Sequence, residues 1–184
     1  EEYSEIINLF NDYFDKKSGK LKLEDPNCCK ILGFAYTINS KYEQAIKLYK
    51  QGLEIDDEAV FINFLLATTI IDKIQQKVRT KAVISEEDFK KLDQAEKSLT
   101  EVIKIFKQKG LDSYYADALA NRAIARINLE KDSKAYKDVR QALDIKPSKN
   151  IKSIYARTCF IKNNLPEAIE TLENLINKEK DPEI

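Results

Sequence analysis

Apolar side chains return along this chain at helical spacing almost from its first residue. Tyr3, Ile6, Ile7, Phe10, Tyr13 and Phe14 fall on one stripe, which predicts an amphipathic helix over residues 1–15. That helix reads equally as the remnant of an earlier repeat, as a cap on the first hairpin, or as a segment folded into a groove. Residues 16–25, with Ser18, Gly19 and six charged side chains, read as a linker. Beyond them the pattern repeats. Gly33, Ala45, Tyr49, Gly52 and Asp57 are separated by gaps of 12, 4, 3 and 5, and Ala123, Ala135, Val139, Ala142 and Pro147 by the same gaps. Ala156, Ala168, Leu172 and Leu175 reproduce the first three. Such spacing predicts antiparallel helix pairs in which residues without bulk let two backbones approach. Glycine inside a helix costs about 0.5–1 kcal/mol against alanine, so Gly33 and Gly52 require a crossing helix to justify them.

Between these copies lies a stretched one. Ala67 follows Gly33 by 34 residues, but its partner Ala95 comes 28 residues on instead of 12, so sixteen residues have been inserted. Ser85 followed by Asp88 resembles a helix start, and residues 86–109 have unbroken helix-forming composition. The insertion is therefore placed in two lengthened helices around a turn near 82–85, projecting by about two turns each. A last helix is expected from Pro166 to about 178, before the charged tail KEKDPEI.

With these residues in view, 26–59, 114–147 and 149–182 resemble tetratricopeptide repeats, whose pattern runs W-x2-L-G-x2-Y, A-x3-F, A, P. The first copy, containing CKILGFAYTINSKYEQAIKLYKQGLEIDD, keeps Leu32, Gly33, Tyr36, Tyr42, Ala45 and Tyr49, with Cys29 in the Trp slot and Asp57 in the Pro slot. The copy containing LANRAIARINLEKDSKAYKDVRQALDIKP is closed by Pro147, but Arg122 and Arg126 stand where Leu and Tyr are usual. The resemblance implies an all-α fold: a right-handed superhelical stack of antiparallel helix hairpins, with about four repeats in a single domain over 1–184. The extended second repeat spans 60–109, and the N-terminal helix precedes the first.

The resemblance also implies a concave groove lined by the first helix of each hairpin, holding a peptide or amphipathic helix of another protein. Taking the face that the packing slots leave free gives Asn27, Lys30, Phe34 and Ile38, then Phe61, Phe64, Thr68 and Ile71. The later copies give Asp117, Ala120, Asn121, Ile124 and Asn128, then Asn150, Ser153, Arg157 and Phe160. Of these, Lys30, Phe34, Ile38, Phe61, Phe64, Thr68, Asn121, Ile124, Asn128 and Arg157 form the expected partner-binding set. A soluble monomer seldom leaves Phe34, Phe61 and Phe64 bare together, so a partner, helix 1–15 or a second copy of the chain should cover them. One subgroup of the family grips acidic chaperone tails with Lys, Asn and Arg side chains. Asn121 and Lys152 resemble parts of that clamp, while Phe64, Thr68 and Ile154 or Tyr155 occupy its other slots.

Composition narrows the function. Lys plus Arg and Asp plus Glu number 31 each, leaving no long-range field to draw nucleic acid or an anionic membrane. Lys73, Lys77 and Lys81, with Arg79 nearby, could form a basic docking stripe, but Glu86, Glu87, Asp88, Asp93 and Glu96 on the returning helix should compensate it. The chain has no His, the commonest general base and metal ligand, and no glycine-rich phosphate loop. An enzyme would need a site built from Asp, Glu, Lys, Tyr or Cys. The reading is a non-enzymatic interaction scaffold or adaptor without cofactor or metal, with homo-oligomerisation as the alternative. Cys28, Cys29 and Cys159 are too few and too badly spaced for a disulfide framework; they should be buried as small hydrophobes in a reducing compartment, the cytoplasm. No apolar run approaches the roughly 20 residues of a membrane-spanning helix. The absence of Met even at the first position predicts a segment of a longer polypeptide or a processed chain.

Overall fold

A computed structural model describes residues 2–15, 18 and 20–180. Among them are nine α-helices and no strand beyond one isolated antiparallel bridge. The helices are α1 (Glu2–Leu9), α2 (Pro26–Ile38), α3 (Tyr42–Ile55), α4 (Val60–Arg79), α5 (Glu86–Gln108), α6 (Asp112–Asn128), α7 (Asp132–Ile145), α8 (Lys149–Ile161) and α9 (Leu165–Lys180). None is long and apolar enough to cross a membrane. Contacts divide the chain into two compact units, Glu1–Ser98 and Leu99–Ile184, and the division falls within α5.

Local chemistry sets the helix ends. Asp25 caps α2 by accepting from the Asn27 N–H at 2.8 Å, and Pro26 follows at the first helical position, where its missing N–H costs nothing. Ser148 caps α8 in the same way. The first helix of each hairpin, α2, α4, α6 and α8, is followed two residues past its end by a residue with positive φ: Ser40, Lys81, Glu130 and Asn163. The next N–H then reaches back to the last turn, as in Lys41 to Tyr36 O at 2.9 Å and Lys131 to Arg126 O at 2.8 Å. This repeated left-handed turn folds each second helix back on the first.

In the first unit, Gly33 brings α2 against α3. A Cβ built on it would lie 2.5 Å from the Tyr49 ring, so the fully buried tyrosine occupies the space the glycine vacates. Its hydroxyl lies 3.4 Å from Thr37 Oγ1, which lies 3.0 Å from Thr69 Oγ1 on α4. Gly52 admits Ile62 of α4 in the same manner. The enlarged repeat is α4 and α5: α4 has 20 residues against 13 in α2, and α5 has 23 against 14 in α3. Of the sixteen inserted residues, seven lengthen α4, three lengthen the turn at 80–85 and six lengthen the start of α5.

That turn is closed by a reciprocal cap. Ser85 Oγ accepts from the Asp88 N–H at 3.2 Å, Asp88 Oδ2 accepts from the Ser85 N–H at 2.9 Å, and Lys77 of α4 donates to the same carboxylate at 2.7 Å. Burial alone would raise the Asp88 pKa, but Lys77 and Ser85 outweigh it and hold it at about 2. A depressed carboxyl contributes stability at pH values above its unfolded pKa, and that contribution is lost as pH falls toward 2. Asp88→Ala is expected to cost about 1–2 kcal/mol at pH 6. In thermal melts, the gap between variant and parent should close as the pH approaches 2.

The N-terminal segment departs from expectation. α1 stops at Leu9 instead of running to 15, because Asn11 and Asp12 favour a 3-10 turn over Asn11–Tyr13. In the described part of 16–25, expected as a linker, the charged side chains are exposed but the two leucines pack inward. Phe14 and Leu21 form the antiparallel bridge, Leu21 is buried with Cys29, Leu32 and Leu48, and Gln51 of α3 binds the Leu21 backbone through both its amide atoms. Residues 1, 16, 17 and 19 of these expectations lie outside the described residues. In packing terms the segment is a cap on the first hairpin. At the other end α9 begins one residue before Pro166 and continues to Lys180, beyond the expected stop near 178. The rest of the tail, 181–184, lies outside the described residues.

Candidate protein-interaction site

The first helices carry the residues expected to meet a partner, and the structure sorts them. On α2, Phe34 and Ile38 stand one turn apart and are 39% and 52% exposed. Tyr3 of α1 meets the Phe34 ring edge-on at 5.9 Å, so the cap covers part of this face and leaves Ile38 open. Lys30 continues the stripe, its ammonium held 2.8 Å from Asn27 Oδ1. On α4, Phe61 and Thr68 are half-buried, and Thr68 donates to the Phe64 carbonyl at 2.9 Å.

Phe64 and Ile71 contradict the expectation: both are buried. On α4, which packs against both α3 and α2, Phe64 and Ile71 turn into the core while Phe61 and Thr68 stay half-open. The exposed aromatic patch is therefore smaller than the sequence suggests. Asp72, one turn beyond Thr68, has its carboxyl pushed up by burial, with Arg79 pulling in the opposite sense.

In the second unit the face is polar. Asn121 and Asn128 each donate to the carbonyl one turn back, Asp117 O at 3.0 Å and Ile124 O at 2.7 Å, which fixes both side-chain amides against α6. Ile124 between them is half-buried, and Arg157 of α8 is exposed. Ala120 is buried, and Asp117 is held by Lys146 at 2.8 Å. Tyr155, in the chaperone-clamp slot, is buried; its hydroxyl binds Glu167 of α9 and Arg140 of α7. Burial first, and then the Glu167 carboxylate, raises its pKa.

The basic stripe of α4 is neutralised by more than its returning helix. Lys77 pairs with Asp88, but Lys73 pairs with Glu43 of α3, while Glu86, Glu87 and Asp93 pair with lysines on α5 itself. The cysteines behave as packing groups: Cys29 and Cys159 are buried and Cys28 is half-buried. Burial, with smaller contributions from Cys28 and Asp25, pushes the Cys29 thiol up to about 11, so it is not a reactive thiolate.

The sequence reading missed how Arg122 and Arg126 are accommodated. Asp138 of α7 is buried and accepts from Arg122 Nη2 at 2.7 Å, Arg122 Nε at 2.8 Å and Arg126 Nη1 at 2.7 Å, while Arg122 also reaches Thr100 at 3.1 Å. An ion cluster replaces the apolar contact usual between these helices. Its one signal in the sequence is an acidic residue between the packing positions Ala135 and Val139.

Comparison with solved structures agrees with this architecture. TTC0263, a thermophilic TPR protein of Thermus thermophilus, matches with a TM-score of 0.70 at 18% identity, over 98% of this chain and 84% of that one. MamA of Desulfovibrio magneticus RS-1, from residue 41 to its end, gives 0.69 at 15% identity, over 99% and 88%. A MamA structure designated AMB-1 gives 0.68 at 16% identity, over 97% and 90%. No family model matches the sequence, and no curated protein does. At these identities the likeness is one of fold: the chain has the all-α helical-repeat fold of tetratricopeptide proteins.

Proposed function

We propose that this chain is a non-catalytic protein-interaction scaffold that holds a peptide or amphipathic helix of a partner against its first-helix faces. In the first unit the contact set is Lys30, Phe34, Ile38, Phe61 and Thr68. In the second it is Asn121, Ile124, Asn128 and Arg157. The observation that carries this reading is the exposure of Phe34 and Ile38 on one stripe of α2, beside a lysine able to meet a carboxylate or backbone carbonyl. Buried aromatic and aliphatic anchors supply most of the affinity in helix-in-groove recognition, and a polar stretch fixes register. Within the second unit, the fixed amides of Asn121 and Asn128 suit hydrogen bonding to a peptide backbone. Balanced charge favours a partner recognised by shape and apolar anchors over one drawn in by a field.

The test is selection from a displayed library of amphipathic helical peptides, followed by affinity measurement on variants. Phe34→Ser with Ile38→Ser is expected to weaken the selected peptides at least about tenfold, with the helical circular dichroism unchanged. Peptides that bind the double variant as tightly as the parent would refute the assignment of this face.

A further inference from the structure

The insertion in the second hairpin builds part of a groove that lies apart from the α2 face. By the repeat spacing, residue 72 matches 38 and residue 92 matches 42, so residues 73–91 stand where the first hairpin has only the turn 39–41. That stretch supplies Lys73, Ile74, Asp88 and Lys91 to a depression of about 350 Å3, lined by α3, α4 and α5 and lying wholly within the first unit. Its floor is aliphatic, made by Ile46 of α3 and by Leu66, Ile70 and Ile74 of α4; Ile74 is buried and the other three are half-buried. Lysines crowd the rim. Lys73 pairs with Glu43, Lys77 with Asp88, and Lys91 with Glu87, so both carboxylates that line the groove are already engaged. Lys47 and Lys50 are left over: both are exposed, and neither lies within ion-pairing distance of a carboxylate among the described residues. Glu43 registers the positive surroundings, since the Lys73 hydrogen bond lowers its pKa against the effect of burial, and Lys91 and Lys47 lower it further.

We infer that this groove binds a single-chain aliphatic carboxylate, with the tail on the isoleucine and leucine floor and the head between the Lys47 and Lys50 ammoniums. Positions i and i+3 of a helix are neighbours, so the two lysines can meet one carboxylate together through charge-assisted hydrogen bonds. Their stems extend the apolar wall while the ammoniums stay at the rim. From Glu43 to Lys50 the α3 wall is about 10 Å long at about 1.5 Å per residue, roughly the reach of an extended decanoate tail. A tail without charge leaves two ammoniums unanswered, and a charge without a tail leaves the floor in water. A peptide suits the floor less well, because its buried amides need partners and the surrounding helices use their own backbone groups internally. Neither Phe34 nor Ile38 lines the groove, so the site is additional to the face proposed for a partner helix. Its volume falls at the lower end of small-molecule sites.

Titration of the isotope-labelled full chain with decanoate, kept below its micelle concentration and followed by amide chemical shifts, tests this. A single saturable site is expected, with the shifts centred on Ile46, Ile70 and Ala95. Lys47→Gln with Lys50→Gln should weaken decanoate at least about tenfold, because two charge-assisted hydrogen bonds are lost. Both lysines are exposed, so helicity should match the parent. Decanol, the same tail without the charge, should bind the parent more weakly than decanoate and be indifferent to that double variant. Ile70→Gln should weaken both ligands. Gln44→Ala, which borders a different depression of α3, and Phe34→Ser with Ile38→Ser should each bind decanoate like the parent. Three results would overturn the inference: no saturable decanoate site in the parent, a double-lysine variant that binds decanoate as tightly as the parent, or hexaglutamate binding at the same residues as tightly as decanoate.

Discussion

Asp138→Ala is expected to lower the unfolding free energy by about 3–5 kcal/mol, since it strands two guanidinium groups, Arg122 and Arg126, in a largely buried position. Such a loss is a large part of the stability of a chain this size. Urea unfolding followed by circular dichroism measures it. The cluster itself need contribute little net stability, because desolvating three charges offsets most of their attraction. The family's own apolar pattern then supplies the control. Arg122→Leu, Arg126→Tyr and Asp138→Leu together should match or exceed the parent, although Asp138→Ala alone is severe. A single variant costing under about 1 kcal/mol would show that the guanidinium groups find water or other partners.

Gly33→Ala is the second large effect, and its sign depends on two opposed contributions. Alanine gains up to about 1 kcal/mol of helix propensity. Against this, the new methyl would sit 2.5–2.8 Å from three atoms of the Tyr49 ring, which is fully buried and carries a hydroxyl set beside Thr37. Overpacking of that kind costs about 1–3 kcal/mol and should win. The third repeat shows the remedy, because it holds Ala123 and Val139 in the same two slots, both buried. Gly33→Ala with Tyr49→Val should therefore be less damaging than the sum of the two single variants by at least about 1 kcal/mol in a double-mutant cycle. Strict additivity would mean that Gly33 and Tyr49 do not share one volume.

These two sites mark how far the sequence could be read. The spacing of Gly33, Ala45, Tyr49 and Gly52 made the hairpins legible, because backbone approach tolerates few residue types and so leaves a signature at fixed intervals. The displaced Ala95 located the insertion for the same reason, and Ser85 with Asp88 marked the start of α5. Asp138 was not legible as a partner for two arginines, because what satisfies a buried charge is a neighbour in space. Leu21 and Leu23 alternate with lysine and glutamate as a half-buried extended segment would, but six charges in ten residues suggested a linker, and only α2 and α3 give the leucines somewhere to go. The expected binding face was legible on α2, where Phe34 and Ile38 are open. It failed at Phe64, Ile71 and Ala120 because periodicity names the face of a helix without saying what lies opposite it.

The most direct measurement is amide chemical-shift mapping of the labelled chain while a selected amphipathic peptide is added. Binding to the first-helix faces predicts shifts concentrated on α2 around Phe34 and Ile38 and on the half-open side of α4 around Phe61 and Thr68. Shifts confined to α3, α5 and α7, with those residues unmoved, would contradict binding at these faces.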